Sequence, residues 1–186
     1  MSTPSLQKHI LFRILNMILF YVGWLYIVST AVTGSPTKGI FAGICIVAFQ
    51  VIISRYWIRE LLMILGVCTI GFLIDSSFAF FGLVTYSSPN ALSSLLCPLW
   101  IVSLYALFAS TLTSSLSWMK YQPILCMVMG SVGGTLSYFY GFKVHAITST
   151  YPENFALSII AVVWLIALPL FFGWSRYLDR TLTLSS

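Results

Sequence analysis

The residues that could do chemistry in this sequence are few, and they sit inside long apolar runs. Asp75 is the only acid well inside such a run, which extends from about Leu61 to Val84. A carboxylate near mid-membrane costs roughly 2.5–3.5 kcal/mol even on the lenient insertion scale. Asp75 must therefore be protonated, be hydrogen-bonded, or face a hydrated cavity where it can exchange a proton or bind a substrate. A helix-to-helix hydrogen bond that only fixes packing is the other role open to it. At ~1.5 Å of rise per residue, Asp75 lies about 21 Å beyond Leu61. The same count brings Trp24, Gln50, Ser103, Ser137, Tyr138 and Trp164 within about one helical turn of that level. Sharing a direction as well as a depth, they would form an intramembrane pocket with one acid, one amide, hydroxyls and indole walls.

Other polar groups have weaker patterns. Ser103, Ser110, Ser114 and Ser117 step by helical spacing onto one face. That face either lines a cavity or bonds back to carbonyls one turn earlier and glues helices together. His9 and His145 fall at opposite ends of the topology, so no Ser-His catalytic pair is visible. The four cysteines, Cys45, Cys68, Cys97 and Cys126, fall one to a run with no CxxC spacing. They read as small apolar packing residues, and neither a metal site nor a cofactor is expected. Gly130 and Gly134 make a small-xxx-small pair, with Gly133, Ser137 and Gly141 on an adjoining stripe. Such stripes let helix backbones approach closely, within one chain or between two copies. The other reading is an open backbone surface for a flat apolar ligand.

The elements that must position these residues follow from composition. The chain has 186 residues, of which 59% are hydrophobic and 7% charged, with a mean hydropathy of +0.98. Soluble domains carry about a quarter charged residues, so this is a polytopic membrane protein, without a separate catalytic domain or a nucleic-acid partner. Apolar runs predict six spans: Ile10 to Val32, Gly39 to Ile53, Leu61 to Val84, Leu95 to Trp118, Pro123 to Phe142 and Phe155 to Trp174. The first exceeds a usual signal-peptide core and contains Asn16, Tyr21 and Trp24, so it is read as a retained span. Lys8, Arg13, Arg55, Arg59, Lys120, Arg176 and Arg180 fall on the side of the termini, against Lys38 and Lys143 on the other. The positive-inside rule then makes the termini cytoplasmic and turns the segments Thr33 to Lys38, Thr85 to Ser94 and Lys143 to Asn154 outward. The expected architecture is all-α: one domain, residues 1–186, folded as a six-helix transmembrane bundle with both termini cytoplasmic.

Four stretches carry a resemblance to a family: Phe20 to Trp24 (FYVGW), Gly71 to Ser76 (GFLIDS), Pro98 to Trp118 (PLWIVSLYALFASTLTSSLSW) and Gly133 to Gly141 (GGTLSYFYG). Together they resemble the bacterial inner-membrane proteins grouped as domain of unknown function 2878. The chain departs from the family pattern in having Thr113 and Ser114 where the family has Asn-His, and Thr135 where it has Pro. The family has no established activity. Its genes accompany enzymes that modify unsaturated phospholipid chains, which implies a multi-pass inner-membrane protein with a lipid-linked role.

Two functions are compatible with these features. One is an enzyme or accessory of membrane-lipid modification that uses the pocket around Asp75 and has membrane lipids, other membrane proteins or a second copy as partners. The other is a substrate-binding or transport subunit that holds a small solute in the same layer. The cationic cluster of Arg13, Arg55, Arg59 and Lys120 is accounted for by orientation, and its sequence spacing defines no pocket for an anionic head group.

Overall fold

A computed structural model describes residues 3–87 and 95–183. Residues 88–94 of the Thr85 to Ser94 segment lie outside the described residues, as do the side chains of Lys8 and His9. The described chain forms α1 (Thr3–Val32), α2 (Pro36–Ile53), α3 (Trp57–Phe80), β1 (Thr85–Tyr86), α4 (Leu99–Thr113), a 3-10 turn (Ser117–Met119), α5 (Pro123–Lys143), β2 (Ile147–Thr148) and α6 (Glu153–Thr183). Turn chemistry sets the boundaries. Gly34 and Gly82, at φ of 73° and 68°, stop α1 and α3 in a conformation that only glycine adopts without strain. Pro36 and Pro123 open α2 and α5, where the missing N–H is not needed.

Five of the six helices are long and apolar enough to cross a membrane. The exception is α4. The expected span from Leu95 to Trp118 is here a helix of 15 residues, followed by a break and the 3-10 turn. At ~1.5 Å per residue the helix is about 22 Å long, short of the ~30 Å hydrocarbon core. Hydroxyls explain the early stop. Ser110 and Thr111 each donate back to a carbonyl three residues earlier, at 2.7 Å, and Ser114 leaves helical geometry at φ −120°, ψ −93°. Smaller corrections concern the other ends: α3 stops at Phe80 rather than Val84, and α6 continues beyond Trp174 to Thr183.

α4 is the centre of the bundle and packs against α1, α2, α3 and α6, while α5 rests mainly on α6 and α1 on α2. α1 does not pack along α5. A groove is left between them. Several helix contacts consist of an aromatic ring seated on a glycine, as where Trp174 of α6 covers Gly66 of α3 and its indole N–H donates to Leu62 O at 3.0 Å.

The two ends of the bundle differ in chemistry. At one end β1 and β2 pair antiparallel, with Thr85 opposite Thr148 and Tyr86 opposite Ile147. This joins the α3–α4 and α5–α6 connections. At the other end Asp179 of α6 bridges Arg59 of α3, at 2.7 Å, and Lys120, while Arg176 donates to Lys120 O at 2.7 Å. Arg13 and Arg55 lie beside Arg59.

Candidate functional site

Asp75 lies on the inner face of α3 with no solvent exposure. Three tyrosine hydroxyls donate to its carboxylate. Tyr105 of α4 reaches Oδ2 at 2.6 Å, Tyr138 of α5 reaches Oδ1 at 2.5 Å, and Tyr86 of β1 also reaches Oδ1. Hydrogen bonds to a charged group contribute roughly 1.5–3 kcal/mol each, so three of them can offset the insertion cost of one acid. They also tie α3, α4, α5 and the β1 segment to one point.

The tyrosines are held in place by the packing around them. Gly71 lies one turn before Asp75 on the same face of α3, and a Cβ there would stand 2.5 Å from the Tyr105 ring. Only a glycine lets that ring lie flat enough on α3 for its hydroxyl to reach Asp75. Trp164 of α6 stacks on the other side of Tyr105, with ring centroids 6.1 Å apart and planes 3° from parallel. Trp164 in turn lies against α5, where a Cβ on Gly134 would come within 2.7 Å of the indole. Gly130, one turn earlier, brings α5 against Leu168, whose Cβ would be 2.8 Å from a Cβ at that position.

The tyrosine cluster forms one end of the groove between α1 and α5. The cavity has a volume of about 470 Å³ and continues along α4 and α5 past Phe108 and Met129 to Leu116 and Met119. Among the described residues no Lys, Arg or His lines it, and Asp75 is its one acidic group. Trp24 and Tyr140 meet across the groove with ring centroids 5.1 Å apart. Exposed residues of α1 and α5, Tyr21, Gly133, Leu136 and Ser137, flank its open side. Trp100 and Trp164 also line it, and their buried indole N–H groups have no partner among the described residues. Each is a donor that lacks an acceptor.

Of the residues expected at one level, Asp75, Trp24, Ser137, Tyr138 and Trp164 line this groove. Only Tyr138 among them bonds Asp75. Ser137 donates to Gly133 O at 3.0 Å. Ser103 is buried against Gly43 of α2 and donates to Trp100 O at 2.7 Å, so it faces away from the groove. Gln50 lies at the other end of the bundle, where it accepts from Asn16 at 3.0 Å. The count of rise placed Gln50 within about one helical turn of the level of Asp75, but it is three residues from the end of α2 at Ile53.

The glycines separate in the same way. Gly130 and Gly134 are buried contacts, and Gly141 lies against Ile147, 3.1 Å from where its Cβ would be. Gly133 is exposed, with nothing within 4 Å of where a Cβ would stand, so it is part of the groove's open wall rather than of a helix contact. Sequence reasoning missed Tyr86, Tyr105 and Gly71. Tyr105 is two residues from Ser103 and within the depth window, but the count of rise along an axis carries no direction. Among the described residues, no three His, Cys, Asp or Glu side chains come together.

No curated protein and no solved structure matches this chain. Residues 13–170 match the family described as protein of unknown function (DUF2878), a stretch that includes every residue of the tyrosine cluster. The chain belongs to that family.

Proposed function

We propose that the groove binds one chain of a membrane lipid, with the polar end of that chain against Asp75 and its tyrosines. The observation that carries this reading is an apolar groove, open between α1 and α5, that ends on a buried acid and two unpartnered indole donors. Ligand pockets of about 300–1,000 Å³ with apolar walls and few convergent polar groups are the usual form of a small-molecule site. With no cation among the described residues of its wall, the groove suits a hydroxyl, carbonyl or amine end rather than a phosphate. An indole N–H would donate to it, and the tyrosine oxygens keep lone pairs to accept from it. In this reading the chain is an enzyme or accessory of membrane-lipid modification in a bacterial inner membrane, with the end carrying Arg59 and Lys120 in the cytoplasm.

The test is lipid analysis of the purified protein beside Gly133→Phe, which fills the groove without displacing a neighbour. The expected result is a chain-like lipid enriched over the bulk membrane and lost from the variant. Bulk lipid composition in both proteins would overturn the proposal. So would a water-soluble solute displaced by Gly133→Phe, which would instead favour a solute-binding subunit.

A further inference from the structure

A second cavity of about 380 Å³ lies at the opposite end of the bundle, lined by Arg13 of α1, Gln50 of α2, Arg55 and Arg59, and Ser114 after α4. Its charges are unequally matched. Arg59 is bound to Asp179 and lies 3.6 Å from Glu60, and Glu60 also accepts from Thr113 at 2.5 Å. Arg13 and Arg55 form no ion pair among the described residues; Arg55 lies only over the Tyr56 ring, at 6.0 Å.

A buried donor on the same wall also lacks a partner. The backbone N–H of Ser115 can only donate, and it points at Asn16 Oδ1 at 3.3 Å. This fixes the Asn16 amide, whose nitrogen donates to Gln50 Oε1 at 3.0 Å. Gln50 is therefore oriented with Nε2 as its remaining donor. That nitrogen, in a residue that is 6% exposed, is buried and has no partner among the described residues, and the same holds for the hydroxyl oxygen of half-buried Ser114. An unmet donor at such a depth costs roughly 1–3 kcal/mol unless something accepts from it.

We propose that this cavity binds a phosphate group, with Arg13 and Arg55 supplying the charge and Gln50 Nε2 and the Ser114 hydroxyl the uncharged hydrogen bonds. Guanidinium groups match phosphate oxygens in number and geometry. Half-exposed Phe12 and Ile53 border the cavity and offer apolar surface to the chains of a phospholipid. Free phosphate shares the head-group chemistry but not the chains.

The experiment is a titration of the purified full chain in neutral detergent with phosphatidic acid, diacylglycerol and inorganic phosphate, followed by native mass spectrometry and thermal shift. Phosphatidic acid should bind and diacylglycerol should not. Arg13→Gln and Arg55→Gln, which break no ion pair among the described residues, should each weaken binding about fivefold. Gln50→Glu, which keeps the size and adds a negative charge, should weaken it further. Gly133→Phe should leave it unchanged, which separates this site from the groove. Competition by inorganic phosphate at equal concentration would support the site with free phosphate as its ligand. Equal binding of diacylglycerol, or full affinity in the double arginine variant, would overturn the proposal.

Discussion

Tyr105 and Trp164 stack with their ring planes 3° from parallel, and this contact joins the buried acid to the glycine face of α5. From Asp75 the connection goes through the Tyr105 hydroxyl to its ring, from the ring to Trp164, and from Trp164 to Gly134. The site is therefore held by packing as much as by hydrogen bonds, and changes at either end should be felt at the other.

Asp75→Leu should be strongly destabilising, because three buried tyrosine hydroxyls lose their acceptor at a cost of roughly 1–3 kcal/mol each. Asp75→Asn should unfold at a temperature between those of the native protein and the Leu variant. Its amide oxygen still accepts two of the bonds, and its nitrogen can donate to the third tyrosine. Thermal unfolding in detergent reads the order. A Leu variant as stable as the Asn variant would mean that the hydroxyls find other partners.

Gly134→Leu should abolish most folded yield, since even a Cβ there overlaps the Trp164 indole. Gly133→Leu, one residue away on the open wall, should fold normally. Size-exclusion chromatography of the two variants side by side is sufficient. Similar loss in both would place Gly133 in a contact.

Asp179→Asn should lower stability by about 1–3 kcal/mol, because Lys120 is 7% exposed and loses its carboxylate. The figure is held down by the partial exposure of Asp179. Asp179→Asn combined with Lys120→Met should recover part of the loss in a denaturation series. A double variant weaker than the single would mean that Lys120 has another anionic partner.

Reporter fusions after Ser186 and within residues 85–87 should report opposite faces of the membrane. The seven-to-two split of cations predicts the first on the cytoplasmic side. Reporting from a single side would remove one span from the count, and the short α4 is the element it would remove.

The sequence by itself determined the class of the molecule, because apolar runs with so few charges can only be buried by lipid or by one another. It also located Asp75 as the residue needing an explanation, since an acid in hydrocarbon is costly whichever way it points. Gly34, Gly82 and the prolines set the helix ends through local backbone chemistry. Direction was what the sequence lacked. Ser103 and Tyr105 are two residues apart on α4, yet one faces α2 and the other meets Asp75, because the rotation of a short helix is set by its neighbours. Tyr86 comes from the connection after α3 and reaches the acid where β1 pairs with β2, a contact between segments far apart in the chain. Gln50 and Asn16 likewise became partners through α1 and α2 lying side by side. Gly133 and Gly134 share type and neighbourhood in the sequence, but the turn of about 100° between successive residues of a helix puts Gly134 against Trp164 and Gly133 on the groove.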